Sequence, residues 1–418
     1  MKPTKESKIL MEFFLKNKCI DAVPFTAKSK KIMKKIYANL YAAHQYVESK
    51  KASDGKLERK SPYHVSIRKI STVHEIPRPS QFNADSFPEA IRDHIDTHSE
   101  YDICYTFSLL HREVTVHFIV EDMDAESQIA HYNNYIESIM LWLHFIENYS
   151  SNQCAKKMTL FLYFTSLKKV LPKSNIDVLD QEHVNTAFTY TCPVVSEIVV
   201  FRHEEWFKVL MHELFHNLGL DFSSMNTSEC TKKILTIFPV ESEVNLYEAY
   251  AECWAELLHA AFCSYVSCKG DENVFIENCY FFVSFERTYS FFQLAKALGF
   301  MGLTYKDLYL PSSHIERKTL YKENSNVLAY YVIKTILLNN YNGFLDWCSK
   351  NNFLLLQFKK TTGNIEQFCL FIEQNYKKKS MLHGVKCMED LYHQVEKKSG
   401  KKNAFIWNNM RMSISEMG

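Results

Sequence analysis

The sequence predicts an α+β fold, in which a mixed sheet packs on one amphipathic helix and a largely helical C-terminal part follows. Two observations carry this prediction. Short runs of β-branched and aromatic residues occur between residues 63 and 202, whereas the chain from about residue 240 onward reads almost wholly helical. The 418 residues are 46% hydrophobic, which is enough for a sizeable core and for more than one packed unit.

Three consecutive segments are expected from the composition. Residues 1–62 contain a short helix, a longer basic helix beginning near Ala27, and a polar, lysine-rich linker over residues 50–62. Residues 63–239 contain the sheet and the helix that packs on it. Residues 240–418 form the helical part, which includes an apolar helix over residues 326–338.

The strands of the middle segment are predicted from runs rich in Val, Ile, Thr, Tyr and Phe. The run 157–165 is nearly continuous in apolar residues, so it should lie at the centre of the sheet. A helix is predicted over residues 127–148, and Pro193 marks a turn between the last two strands. The predicted strands cover residues 64–70, 113–120, 157–165, 185–192 and 196–202.

The helix predicted over residues 204–218 carries the motif His-Glu-Leu-Phe-His at positions 212–216. Residues four apart lie on one face of a helix, so His212 and His216 can both reach one ion. Glu213 projects beside them, where a carboxylate can take a proton from a metal-bound water. Gly219 follows where a helix end favours a residue tolerant of the left-handed conformation.

A catalytic zinc ion usually takes three protein ligands and leaves one position open. The extended pattern HExxHxxGxxH places its third ligand at position 222, which is occupied here by Phe222, a residue that cannot bind metal. Asp221 lies one residue too early. The third ligand must therefore come from another part of the chain.

A second helix, predicted over residues 245–259, supplies candidates. Glu248 and Glu252 are four apart on one face, among large apolar residues on the rest of the circumference. A carboxylate in such surroundings is costly unless it is paired or binds metal. Glu256, one turn further on, is expected to be solvated or hydrogen-bonded. The spacing alone leaves open which glutamate is the ligand.

The two motifs together, HExxH and a downstream E-x-x-x-E over residues 248–252, resemble the zinc peptidases called gluzincins, a class of zincins. The resemblance implies a zincin-like fold whose sheet edge holds an extended peptide. It also implies that His212, His216 and Glu248 bind Zn²⁺ while Glu252 hydrogen-bonds a ligand histidine. A register one turn later would make Glu252 the ligand.

Gluzincins usually supply a further Tyr or His that stabilises the oxyanion of the transition state. The resemblance makes Tyr330, Tyr331 and His314 candidates for this role, and nothing in their spacing selects one of them. Residues 204–222 and the helix 247–256 are also similar to HExxH proteins encoded by large nucleocytoplasmic DNA viruses. That similarity implies host cytoplasm or a virion as the setting.

The expected function is therefore a zinc-dependent metallopeptidase acting on a peptide or protein substrate, with Glu213 as general base. One alternative is a catalytically inactive zincin-like structural or interaction protein that retains the metal site. A structural zinc site would normally have four ligands and no general base, which favours catalysis. A metal-dependent hydrolase of another substrate class is a third option, but no phosphate loop or second metal cluster supports it.

Charge and cysteine usage limit the partners and the compartment. A net charge of +1 gives no overall attraction to nucleic acid or membrane, and the lysine clusters read as solvated faces. No apolar run approaches the ~20 residues that span a bilayer, and the N-terminal apolar run is too short for a signal peptide. The twelve cysteines lack a CxxC motif and are expected to be reduced thiols in a cytoplasmic, non-secreted protein.

Overall fold

The computed structural model describes residues 3–52, 61–81, 86–122, 124–397 and 404–416, and these form a mixed α+β structure. Its sheet has six strands in the order β1-β2-β3-β4-β6-β5. The strands are β1 His64–Lys69, β2 Tyr101–Leu109, β3 Arg112–Val120, β4 Lys157–Phe164, β5 Ala187–Thr189 and β6 Val195–Val200.

The sheet is mixed because β4 runs parallel to both of its neighbours, β3 and β6, whereas all other pairings are antiparallel. Within β4, Phe161 lies opposite His117 on one side and opposite Val199 on the other. Strands covered on both faces read as continuous apolar runs, which is the pattern of residues 157–165. The predicted central position of this strand is confirmed.

The two faces of the sheet are covered differently. One face packs against the helix α4 (Ile129–Glu147), where Phe118 contacts Tyr132 and the hydroxyl of Tyr105 donates to Asn133. The other face is covered in part by the helix α3 (Glu89–His98), which contributes Ile91 and Ile95 to an apolar cluster. The sheet members of that cluster are Ile119, Phe161, Tyr163 and Val199.

The chain separates into two compact units assembled from non-consecutive stretches, unlike the three consecutive segments that the composition predicts. One unit, from Met33 to Lys168 and from Thr186 to Leu220, contains the sheet, α3, α4 and the helix α6 (Trp206–Asn217). The other comprises the residues up to Ile32, Lys169–Asn185 and the residues from Asp221 onward. Its N-terminal helix belongs there because Phe14 packs against Tyr289 and Phe292.

Helices dominate the second unit, which also contains a π-helix over Leu328–Ile333. The helix α2 (Ala27–Ala52) contributes residues to both units. The remaining α-helices of the described residues are α1 Lys5–Lys16, α5 Gln181–Val184, α7 Ser228–Ile237, α8 Leu246–Ser267, α9 Glu272–Phe300, α10 His314–Leu320, α11 Lys334–Asn339, α12 Tyr341–Asn351, α13 Thr362–Asn375, α14 Lys379–Lys397 and α15 Ala404–Asn408.

A non-helical stretch near the C-terminus, residues 409–415, is buried in the helical unit. Its backbone is satisfied by side chains, because the carboxylate of Glu286 accepts hydrogen bonds from the amide groups of Ile414 and Ser415 and from the hydroxyl of Ser413. Burial raises the pKa of Glu286, and these hydrogen bonds oppose that rise. The buried carboxylate thus accepts the hydrogen bonds that the backbone of a neighbouring strand or helix would otherwise accept.

The expectation of twelve reduced cysteines is wrong for six of them. They form the disulfides Cys19–Cys387, Cys154–Cys192 and Cys230–Cys369. The partners are far apart in sequence, and folding brings them together. The other six cysteines are free thiols, and all but Cys104 are buried.

Most of the predicted elements are confirmed, with shifts of a few residues at their ends. The sequence reading missed β2, although Ile103, Tyr105 and Phe107 alternate there with more polar residues. The helix α2 continues to Ala52, three residues into the predicted linker, and residues 53–60 of that linker lie outside the described residues. The lysine-rich stretch near the C-terminus, residues 397–402, is predicted to be a basic tail, and its residues 398–402 also lie outside the described residues. In the described part of the chain, no helix is both long and apolar enough to cross a membrane.

Candidate metal centre

The helix α6 carries the HExxH motif and is buried along its whole length. It begins after β6, where Glu205 adopts a left-handed backbone with φ 59°, a conformation that costs a non-glycine residue roughly 1–2 kcal/mol. Such strain persists only where surrounding structure fixes it, and it often marks functional sites. The helix ends before Gly219, whose φ of 65° confirms the predicted helix end.

The two histidines of the motif converge. The Nε2 atoms of His212 and His216 are 3.0 Å apart, and the residues are only 5% and 8% exposed. Two neutral ring nitrogens in this position cannot both present lone pairs to each other favourably, whereas a shared cation satisfies both. Glu213, between them in sequence, is 7% exposed.

The C-terminal end of α6 is tied to the edge of the sheet by Asn217, a residue that the sequence reading missed. Its side-chain oxygen accepts a hydrogen bond from Ser196 on β6, and its amide donates to the hydroxyl of Thr189 on β5 at 2.9 Å. Asn217 is fully buried and directly follows His216. Its one sign in the sequence was a polar amide directly after the second motif histidine, at the last position of the helix. These bonds fix the rotation of α6 and hence the direction of both imidazoles.

Glu248 lies in the first turn of α8, and its side chain is partly exposed. Its carboxylate oxygen accepts a 2.8 Å hydrogen bond from the hydroxyl of Tyr330. Tyr330 sits on the π-helix, a rare wide turn that is often found at functional sites. The start of α8 is joined to the same region by a 3.0 Å hydrogen bond between Asn245 and Asn326.

Glu248 is the glutamate that groups with the histidine pair. One ring nitrogen of His212, one of His216 and one carboxylate oxygen of Glu248 all lie within 4.8 Å of one another, and the described residues contain no other such group of three. Two imidazoles and a carboxylate form the ligand set of a common type of catalytic zinc site. The donor chemistry therefore fits zinc.

The other two glutamates of α8 are more deeply buried. Glu252 is 1% exposed, in surroundings where a charged carboxylate must be paired. Glu256 is not solvated: it is fully buried and forms an ion pair with Lys334 at 2.6 Å. This pair joins α8 to α11, two turns beyond the bond from Tyr330 to Glu248.

The three candidates for the oxyanion donor occupy different places. The hydroxyl of Tyr331 is buried and donates to the carbonyl of Met410 at 2.7 Å, so in this arrangement it serves the C-terminal stretch. His314 is exposed at the start of α10. Tyr330, which contacts Glu248, is the candidate beside the ligand set.

Position 222 is a core position. Phe222 is fully buried and packs against Phe358 with ring centres 4.4 Å apart and against Tyr250 at 6.1 Å. The adjacent Asp221 is also buried and accepts hydrogen bonds from the backbone and hydroxyl of Ser223. These contacts agree with the argument that the third ligand is not at this position.

Negative charge near the start of α8 also affects Tyr247. Burial raises the pKa of its hydroxyl, and the nearby carboxylates of Glu248 and Asp221 raise it further. Tyr247 thus stays protonated over the physiological range and can act as a hydrogen-bond donor there.

Comparison with known proteins gives no relative to guide the assignment. No protein-family model, curated protein or solved structure shows significant similarity to this chain.

Proposed function

We propose that this protein is a zinc-dependent metallopeptidase with a zincin-like fold, which hydrolyses peptide bonds in a peptide or protein substrate. The observation that carries the proposal is the grouping of His212, His216 and Glu248 within 4.8 Å, with Glu213 beside the histidine pair in sequence. A buried general base next to three metal-binding side chains is more than a structural site requires.

In this proposal His212, His216 and Glu248 hold the ion. Bound zinc would supply Lewis-acid chemistry, lowering the pKa of water toward neutrality and polarising a carbonyl. Glu213 accepts a proton from the attacking water and delivers it to the leaving amine. Its 7% exposure keeps bulk water from competing for that proton.

In this proposal Tyr330 has two roles, one in orienting Glu248 and one in stabilising the oxyanion. Its hydrogen bond keeps the Glu248 carboxylate in one orientation, which is how a hydrogen-bond donor strengthens a metal site. When substrate binds, the same hydroxyl could turn toward the developing oxyanion and donate to it. The buried carboxylate of Glu252 is proposed to orient a ligand histidine.

The alternative proposal is an inactive zincin-like protein that keeps the metal for structural or interaction purposes. Both proposals require zinc, so zinc content alone does not separate them. They differ in whether Glu213 acts as a general base. A base that is needed only for turnover can be removed without loss of metal or stability.

The test is a peptide-library cleavage assay on the zinc-loaded full chain, comparing wild type with Glu213→Gln. About one zinc per chain is expected in both proteins, with cleavage lost in the variant. Glu229→Gln serves as the matched control, because Glu229 lies on α7 and its side chain is 80% exposed. Equal cleavage by wild type and Glu213→Gln would refute the assigned base, and zinc binding without any cleavage would favour the inactive alternative.

A separate experiment tests whether Glu248 or Glu252 is the third metal ligand. Glu248→Gln and Glu252→Gln should both fold, but the true ligand should lose far more zinc when it is replaced. We expect Glu248→Gln to lose most of its zinc and Glu252→Gln to show affinity weakened about 10–100-fold. The reverse order would move the ligand one turn along α8.

A further inference from the structure

Three polar side chains lie together on the sheet face that α3 partly covers. Asp102 and Cys104 are two residues apart on β2, so both point to the same face. His117 on β3 is the residue directly opposite Cys104 in the antiparallel register. Side chains in this relationship have their Cβ atoms about 4.5–5.5 Å apart and are in contact.

The imidazole of His117 is held in one orientation. Its Nδ1 atom is 2.9 Å from a carboxylate oxygen of Asp102, and its ring stacks on Phe161 with an angle of 8° between the planes. Asp102 is 4% exposed and is held in turn by Arg68 at 3.3 Å. Because Nδ1 is engaged by Asp102, Nε2 is the ring nitrogen that remains for Cys104.

The imidazole of His117 is held in its protonated form over the physiological range. Burial lowers the pKa of His117, but hydrogen bonds to Asp102 and to Cys104 outweigh it and raise the pKa to about 9. An imidazolium beside a thiol stabilises the ionised, nucleophilic sulfur. Cys104 is also the one free cysteine that is not buried, whereas burial raises the pKa of a thiol such as Cys348 well above its usual value.

We propose that Cys104, His117 and Asp102 form a second reactive site, in which the Cys104 thiolate accepts an acyl group from a thioester. Sulfur attacks the thioester carbonyl carbon, a new carbon–sulfur bond forms, and the bond to the leaving thiolate breaks. His117 gives its proton to that leaving thiolate, so the products are S-acyl Cys104 and a free thiol. Asp102 keeps the imidazole aimed at the reacting sulfur.

The surroundings favour a thioester over an amide. Strand β2 is paired on both sides, with β1 and with β3, so its backbone amide groups are used in the sheet. Attack on either carbonyl develops an oxyanion, and the paired strand offers no free amide group to stabilise it, which disfavours the less reactive amide more strongly. A thioester is already activated and has a good leaving group. The reaction therefore stops at acyl transfer and is independent of the proposed peptidase.

A metal site is the other chemistry that Cys, His and Asp could serve. It is disfavoured because the group formed by His212, His216 and Glu248 is the one set of three in the described residues whose ligand atoms converge. Asp102 acts on Cys104 through His117 and does not approach a common point with both.

The experiment uses the full chain and a small acyl donor, the acetyl thioester of N-acetylcysteamine. Peptide mapping by mass spectrometry should find acetyl-Cys104 forming at least tenfold faster than acylation of Cys348. A thiol without a charged neighbour should acylate more slowly at the same pH, because the thiolate is the nucleophile.

Variants then separate activation from exposure. His117→Gln should lower the rate at pH 6.5 by tenfold or more, while Cys104→Ser loses the label. His94→Gln is the matched control, since His94 pairs with Glu121 on the same unit and should leave the rate unchanged. The Glu213→Gln variant should acylate like wild type, so failure of the peptidase proposal does not affect this one.

Two results would overturn the proposal. One is a wild-type protein in which Cys104 acylates no faster than the buried thiols. The other is a rate at Cys104 that is the same in wild type and in His117→Gln. The comparison of Cys104 with the buried thiols uses wild type alone, so it stands even where a variant fails to fold.

Discussion

The hydroxyl of Tyr330 donates a 2.8 Å hydrogen bond to the carboxylate of Glu248, joining the π-helix to the first turn of α8. The next residue, Tyr331, donates instead to the carbonyl of Met410 in the buried C-terminal stretch. Two adjacent tyrosines therefore serve the candidate metal centre and the core respectively. This difference makes them a matched pair for mutation.

Tyr330→Phe should weaken zinc binding about 10–100-fold with little loss of stability, because it frees the partly exposed carboxylate of Glu248, the proposed third ligand. Tyr331→Phe should instead destabilise the fold by about 1–3 kcal/mol, since it removes the donor from a buried carbonyl, and should leave zinc affinity nearly unchanged. Zinc titration against a competing chelator and urea unfolding measure the two effects. Equal effects of both variants on zinc would contradict the separation.

Sequence patterns could predict much of the histidine half of the site, because both histidines and Glu213 lie on one helix. The third ligand is different. Glu248 and Glu252 share a helix face, and choosing between them requires knowing which turn of α8 approaches the histidines. That is a tertiary property with no signature in local spacing. The same limit applies to Asn217, whose partners on β5 and β6 are remote in sequence.

The buried pair of Lys334 and Glu256 could not be predicted either. A lysine in sequence reads as solvated, yet both residues are fully buried here. Cysteine pairing is similar: Cys230 and Cys369 are 139 residues apart, and only the packed chain brings them together. By contrast, the central strand β4 was predictable because burial on both faces leaves a continuous apolar run.

Lys334→Met should be strongly destabilising, by about 3–5 kcal/mol, because it removes the ion partner of a fully buried carboxylate. The double variant Lys334→Met, Glu256→Leu should recover most of this loss, since no buried charge then remains at the pair. Urea unfolding of both single variants and the double variant gives the coupling energy. If the double variant is as unstable as the sum of the singles, the two residues do not form the proposed pair.

The three disulfides lead to a prediction about thiol counts. Unfolding the oxidised protein without reductant should expose six alkylatable cysteines, and reduction should raise the count to twelve. Replacing both Cys154 and Cys192 by Ala should cost about 4 kcal/mol, from the chain entropy released by opening a loop with a sequence separation of 38. Disulfides are rare in reducing cytosol, so twelve free thiols in protein alkylated at cell lysis would instead support the cytoplasmic setting.

His117 should make the stability of the sheet unit depend on pH. The pKa of His117 is raised from the ordinary 6.5 to about 9. Burial lowers this pKa, but Asp102 and Cys104 on β2 raise it more. Arg68 on β1 does not act on His117 directly but pairs with Asp102. The folded state therefore holds a proton that the unfolded state releases. The resulting stability is fully present below pH 6.5 and is lost as the pH rises through 9.

The shift in the pKa of His117 corresponds to about 3 kcal/mol of folding stability. Because its side chain is 19% exposed, solvent screening reduces this contribution to about 2 kcal/mol. Urea unfolding of wild type and His117→Gln between pH 6 and 10 measures it, because groups common to both proteins cancel in the comparison. Wild type should lose this extra stability across pH 6.5–9, and Asp102→Asn should shrink the loss. Parallel curves for wild type and His117→Gln would mean that His117 is not protonated in the folded protein.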